Sequence, residues 1–289
     1  MVSHDASLPQ PAPALVIGAG GRRPRLRLHE IWEYRELLYF FVWRDVKVRY
    51  KQTVLGAAWA VLQPAMSAVV FTVFFGRLAG VPSDGVPYPL FAYAGLVVWT
   101  FFAQGVSQAG NSLIGSANLI TKVYFPRMVV PAASVLSGLV DLAVATPVLV
   151  LLMIGYGVRP GLAMLMVPAV LVLALATAIG VALWLSALTV EYRDVRYVVP
   201  FVVQLWLFVT PVIYPASQVR PLLASHGLPA WLLGLNPMAG VVEGFRWAVL
   251  GTPTAPWPLL AASALFAAAI LTSGAYYFRA VERSFADVV

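Results

Sequence analysis

Cysteine is absent from this 289-residue chain, which excludes disulfides, thiolate metal sites and a cysteine nucleophile without revealing the redox compartment. Charge is scarce as well. Asp, Glu, Lys and Arg make up 11% of the residues against 61% hydrophobic, and the mean hydropathy is +0.83. A soluble domain cannot expose such a composition, so the lipid bilayer is the solvent for most of the chain. The long apolar runs lack the alternation of a barrel strand, which leaves helices as the spans whose backbone groups are satisfied internally. No metal-ligand pattern occurs, and no phosphate loop: the Gly18 to Gly21 run follows no strand and leads to no Lys-Ser or Lys-Thr pair.

What the chain does contain is a block of positive charge beside lipid-soluble sequence. Nine of the nineteen Lys and Arg residues lie between Arg22 and Lys51, whereas the 139 positions from Gln52 to Val190 hold six charges: Arg77, Asp84, Lys122, Arg127, Asp141 and Arg159. Cations flanking a span stay on the cytoplasmic side, which places the N-terminus inside. The net charge of +7 has this origin, and no nucleic-acid contact is predicted. Residues 1–25, rich in Pro, Ala and Gly, read as a mobile cytoplasmic tail with no signal peptide. Residues 26–53 read as an amphipathic interfacial helix. Tyr39, Trp43, Val46 and Tyr50 share an apolar face, and Arg44, Lys47 and Lys51 make a basic one. Such a helix is either a plain membrane anchor or a grip on a cytoplasmic partner.

Residues 54–289 read as the transmembrane domain. Six runs approach the roughly 20 residues that a span needs, at 54–78, 89–111, 128–156, 162–190, 198–214 and 257–278. The fifth is the shortest. An even number returns the C-terminus to the cytoplasm and puts fifteen Lys and Arg residues inside, leaving Arg77, Arg159, Arg220 and Arg246 outside. Between the fifth and sixth runs Pro221, Pro229, Pro237 and Pro253 cut an apolar stretch into pieces too short to cross. These are expected to be short re-entrant helices that shape the outer mouth of a pathway. The predicted fold class is an all-α integral membrane protein with six transmembrane helices and both termini cytoplasmic.

Polar residues inside the apolar runs are the candidates for function. In the second run Tyr93, Thr100, Gln104, Ser107 or Gln108, and Asn111 recur at helical spacing. A stripe like this either glues helices together or lines a wet, sugar-facing surface, and its length favours the second. Trp99, Phe101 and Phe102 beside it are either bulky packing or ring faces for carbohydrate C–H groups. Asp141 sits mid-span, where it is protonated, faces a hydrated path or pairs with a polar group on a neighbouring helix. One such acid does not make a proton relay, which argues against secondary transport. Gln63, Ser67 and Gln204 are further path candidates, with packing as the alternative. Glu243 and Arg246, three apart, share one helical face and read as a structural pair. The connections NLITKVYFPR (Asn118 to Arg127) and EYRDVRYVVP (Glu191 to Pro200) mix charge with apolar residues that a solvated turn does not require, which suggests a docking surface.

Four segments in order carry a family resemblance that covers the chain from about Arg27 onward. VWRDVKVRYKQTVLGAAWAVLQP (Val42 to Pro64), the two connections just quoted and LNPMAGVVEGFRWAVLG (Leu235 to Gly251) resemble the permease subunit of ABC type-2 exporters of polysaccharide and polyol phosphate. The resemblance implies a non-enzymatic half-transporter in the bacterial inner (cytoplasmic) membrane. Two copies form a homodimer over two copies of a nucleotide-binding ATPase subunit, which holds ATP and Mg while this chain carries no cofactor. It implies ATPase coupling through Asn118, Leu119, Ile120, Thr121, Lys122, Val123, Tyr124, Phe125 and Arg127, with Glu191, Arg193, Asp194 and Arg196. The implied cargo is an O-antigen-like glycan on undecaprenyl pyrophosphate, whose phosphates Arg44, Lys47, Arg49 and Lys51 would attract among the membrane lipids. Its translocation path would involve Tyr93, Trp99, Thr100, Phe101, Gln104, Gln108, Asn111, Asp141 and Gln204. The first and fifth spans would flank a lateral opening for the lipid, and Tyr214, Trp231, Glu243 and Arg246 would belong to the periplasmic gate. An ABC type-2 exporter of lipids or drugs and a proton-driven flippase are the alternatives. A membrane glycosyltransferase would need acidic metal-binding residues in a sizeable cytoplasmic loop, and the loops here are too short.

Overall fold

The computed structural model describes residues 28–51, 56, 58–120, 122–252 and 254–282. The N-terminal tail, Thr121 of the first connection and residues 283–289 lie outside the described residues.

Every element among the described residues is helical, as apolar sequence without alternation requires. The first two helices, α1 (Leu28–Glu33) and α2 (Arg35–Tyr50), precede the long ones. Helix α3 (Ala58–Phe71) runs on through wider π turns at Thr72–Leu78, giving 21 continuous residues. Then come α4 (Tyr88–Gly115), the short α5 (Ala117–Ile120) and α6 (Val129–Gly155). A 3-10 turn at Leu162–Met166 leads into α7 (Val167–Glu191), followed by α8 (Val195–Val209). The chain continues through α9 (Ala216–Ser225), a 3-10 segment at Ala230–Leu235, α10 (Pro237–Leu250) and α11 (Trp257–Val281).

Five of these helices are long and apolar enough to cross a membrane: Ala58–Leu78, Tyr88–Gly115, Val129–Gly155, Leu162–Glu191 and Trp257–Val281. The protein is therefore a multi-pass membrane protein. Helix α8 is shorter, at 15 residues. The bundle is built around α4, which packs on α3, α6, α7, α8 and α10 and is buried along most of its length. By contrast only Pro64 and Ala68 of α3 are buried. Helices α7 and α11 meet through glycine: a Cβ on Gly274 would sit 2.5 Å from the Gly180 carbonyl oxygen, so no larger residue permits this approach. One turn on, the Trp184 and Tyr277 rings stack at 4.3 Å.

The connections gather at two ends of the bundle. At one end Phe41 packs on Phe125 with ring centroids 5.6 Å apart, Tyr277 donates to Glu191 at 3.0 Å, and Arg279 bridges Glu30 at 2.8 Å and Glu282 at 3.1 Å. At the other, Tyr88 donates to the Ile213 carbonyl and Ser217 to Asp84, both at 2.7 Å.

Helix α2 divides its faces between the outside and α6. Tyr39 and Trp43 are exposed, and the buried ring is Phe41. Asp45 accepts from Ser134, Arg49 donates to Ser137 and Asp141, and Tyr50 donates to Asp141, so successive turns of α2 meet successive turns of α6. The reason is the partner: α6 presents two hydroxyls and a carboxylate, and polar residues of α2 turn inward to meet them.

Candidate translocation groove

A groove of about 540 Å³ runs over α4 between α3 and α8. Its floor is Leu96, Trp99, Thr100, Ala103, Gln104, Ser107 and Gln108, a single face of α4 produced by steps of three and four. Gln63, Ser67 and Phe71 of α3 form one wall, and Pro200, Val203, Gln204, Leu207 and Phe208 of α8 form the other. The Gln104 amide donates to the Gln63 amide oxygen at 2.7 Å across the floor-to-wall corner.

The polar stripe thus divides. Trp99, Thr100, Gln104 and Gln108 meet Gln204, Gln63 and Ser67 in the groove. Tyr93 does not reach it: the side chain is buried against α6 and its hydroxyl donates to the Ala145 carbonyl at 3.0 Å, which is the helix-glue role. Phe101 is buried facing Gly138, where an added Cβ would come within 3.3 Å of the ring. Phe102 packs edge-on against Trp206 at 5.1 Å. Asn111 is exposed past the groove residues and donates to its own helix at Ser107. Phe71, Leu207 and Phe208 carried no sequence signal, because apolar residues in an apolar helix announce nothing about which side they face.

Asp141 is buried and pairs with the Arg49 guanidinium and the Tyr50 hydroxyl, which selects pairing among its three alternatives. Arg49 also donates to Gln108 and, at 3.0 Å, to Ser137. Arg49 is therefore turned into the bundle and touches a groove residue from behind. The other cations of α2 stay nearer the surface. Arg44 bonds Asp45 at 2.9 Å and lies over the Phe41 ring, Lys47 sits 4.2 Å from the Trp43 ring centroid, and Lys51 is exposed.

At the opposite end Arg246 is fully buried at 1% exposure. Its guanidinium donates to the carbonyls of Phe91 at 3.1 Å, Pro211 at 2.6 Å and Val212, and lies 3.5 Å from the Phe91 ring centroid. Glu243 stands 3.4 Å away and accepts from the Ala216 backbone N–H at 3.0 Å. The pair thus ties the turn after α8 to the start of α4, a larger role than the i,i+3 pairing visible in sequence. Helix α10 is framed to hold it: Asn236 caps the N-terminus, Pro237 takes the first position and Gly251 closes the end at φ 69°. Asn236 also accepts from Trp206 and donates to Thr210 of the same turn. Tyr214 donates to the Phe208 carbonyl at 3.1 Å, whereas Trp231 remains exposed on the 3-10 segment.

The first connection presents Asn118, Leu119, Lys122, Val123 and Tyr124 outward, with Tyr124 89% exposed. Ile120 and Phe125 turn into the bundle, and Arg127 holds Glu282 through its backbone N–H and its guanidinium. In the second connection Glu191, Arg193, Asp194 and Arg196 are all exposed; Glu191 accepts from Tyr277 and Arg196 donates to Tyr197. Among the described residues Arg193 and Asp194 have no side-chain partner. The chain of charges from Glu30 through Arg279 and Glu282 to Arg127 escaped the sequence reading, since its members lie far apart along the chain.

Comparison with known proteins bears on what this arrangement serves. The ABC-2 type transporter family model matches residues 36–250, a region that starts in α2 and ends with α10. The O-antigen export system permease protein RfbA of Myxococcus xanthus is 29% identical over 220 residues, covering 76% of this chain and 82% of that protein. The protein of the same name from Klebsiella pneumoniae is 29% identical over 212 residues, with 73% and 79% covered. The polysialic acid transport protein KpsM of Escherichia coli is 22% identical over 214 residues, with 72% and 78% covered. The match takes in α2, the groove, both exposed connections and the Arg246 clamp, and the chain belongs to the ABC-2 type transporter family.

Proposed function

We propose that this chain is the membrane permease subunit of an ATP-driven exporter that moves a lipid-linked, O-antigen-like polysaccharide out across a bacterial inner membrane. The observation that carries the reading is the groove: a row of amides and hydroxyls bordered by Trp99, Phe71 and Phe208. Amide groups donate and accept, and ring faces take sugar C–H groups, so a polymer meets many weak and repeated contacts that release each unit. The relatives named for O-antigen export support the cargo class, and the one named for polysialic acid transport supports polymer export in general. On this reading α8 is the fifth of six crossings, both termini are cytoplasmic, and a homodimer encloses the path. The groove, walled by the first and fifth crossings, is where an undecaprenyl pyrophosphate-linked chain enters from the side, with the outward cations of α2 near its phosphates. The exposed connections seat in a separate ATPase subunit that carries ATP and Mg, and its closure moves them as rigid levers. Tyr214, Trp231 and the Arg246 cluster belong to the periplasmic gate.

The test is co-purification with a nucleotide-binding ATPase subunit when the chain is expressed with its genomic neighbours, together with surface glycan in a deletion strain. A permease that never retains a nucleotide-binding subunit, or a deletion strain with normal surface glycan, overturns the reading; loss of small-molecule efflux instead would identify a drug exporter. Coupling has its own test. Tyr124→Glu and Arg193→Glu, both at exposed positions, are expected to lower polymer-stimulated ATPase activity several-fold while membrane insertion stays intact. Unchanged activity in both variants would count against coupling at these connections.

A further inference from the structure

Among the described residues no side chain lining the groove is charged. The property reaches well beyond the groove itself. Helix α4 has no Asp, Glu, Lys or Arg from Tyr88 to Gly115, and α3 has none from Ala58 to Phe71. The one charged residue of α8 is Arg196, at the first turn and folded over the Tyr197 ring. Where a charge does touch the groove lining, at the Arg49 contact with Gln108, it is matched by Asp141. All polarity in the groove comes from groups such as Gln63, Thr100, Gln104 and Gln204, which are neutral.

We infer that this permease selects polymers whose repeat unit carries no net charge and excludes polyanions such as uronate, sialate or phosphate-bridged chains. The inference rests on the translocation reading above and specifies its cargo. A neutral sugar exchanges its hydrogen bonds to water for bonds to amides and lays C–H groups on the rings, at little net cost. A carboxylate or phosphodiester must leave water for a groove with no lining cation, between helices whose one charge, Arg196, lies at the N-terminal end of α8, and must do so at every repeat. The carrier's pyrophosphate confines its charge to one end of the chain, near the exposed cations of α2, whereas the repeat passes the groove throughout. Selectivity therefore comes from what the groove withholds, a countercharge, as much as from what it supplies.

The experiment uses proteoliposomes that hold the permease with its ATPase subunit. They receive a neutral lipid-linked glycan, or the same glycan after its primary alcohols are oxidised to carboxylates. The neutral form is expected to cross at least about tenfold faster. Gln204 lines the groove wall on its open side, so a charge placed there meets the passing repeat, and retained binding of the ATPase subunit shows that the variant is assembled. Gln204→Arg is expected to narrow the gap by accelerating the oxidised glycan, and Gln204→Glu to widen it. Equal rates for the two glycans, or a preference for the oxidised one, overturn the selectivity and leave the transport reading standing. If neither glycan crosses although the ATPase is bound and active, the transport reading fails and this inference falls with it.

Discussion

Replacing Arg246 with Met is expected to remove most of the folded protein from the membrane. The guanidinium is 1% exposed and satisfies the carbonyls of Phe91, Pro211 and Val212 at once, with Glu243 beside it. Methionine fills much of the volume but leaves those carbonyls without a donor and the Glu243 carboxylate without its cation. Removing one partner of a buried ion pair costs about 3–5 kcal/mol, a large share of a total stability that is typically about 5–15 kcal/mol. Detergent-solubilised protein should unfold at a clearly lower temperature, and the amount recovered from membranes should fall. Arg246→Lys should rank between the two, since a point charge cannot reproduce the fork that reaches several carbonyls. Glu243→Gln should cost less than Arg246→Met, because the guanidinium keeps its three carbonyls and the amide oxygen still accepts from Ala216. A melting temperature for Arg246→Met equal to that of the wild type would refute the clamp.

The Arg49–Asp141 pair supplies the second large effect. Arg49→Met leaves a buried carboxylate held only by the Tyr50 hydroxyl, and Asp141→Leu leaves a guanidinium facing Gln108 and Ser137 without its anion. The Arg49 side chain is 22% exposed and that of Asp141 8%, so water screens part of the loss. Each single substitution is expected to cost about 2 kcal/mol, and the double variant less than their sum by at least about 1 kcal/mol. Export should respond more sharply, because the pair joins α2 to α6 and, through Gln108, to the groove. Each single variant should lose most transport, with partial recovery in the double variant. A thermal-unfolding cycle in which the two costs simply add would show that the side chains do not act together.

Much of the architecture was legible because the bilayer acts on contiguous residues. The run predicted at 89–111 is helical over Tyr88–Gly115, that at 128–156 over Val129–Gly155, and that at 257–278 over Trp257–Val281. The polar stripe of α4 was legible in part: Thr100, Gln104 and Gln108 keep one face toward the groove, while Tyr93 is spent on the Ala145 carbonyl. For α2 the periodicity marked Tyr39 and Trp43, which are exposed, but not the contacts of Asp45, Arg49 and Tyr50 with Ser134, Ser137 and Asp141, which depend on a helix distant in the chain. Arg246 was read through Glu243, its neighbour in sequence, although its main acceptors are 34 to 155 residues away.

By itself the sequence determined that the chain is helical, that it lives in a membrane, and which of its runs form long helices. Hydrocarbon thickness and the need to satisfy backbone groups are local constraints, so a run of residues records them directly. The tertiary structure decided which polar groups are consumed in packing and which remain to line a groove. In a bundle where lipid and neighbouring helix are both apolar, a helix's own periodicity does not say which it faces. That choice is made by partners distant in the chain: Asp141 for Arg49, the turn after α8 for Arg246, and the neutral walls of α3 and α8 for the amides of α4.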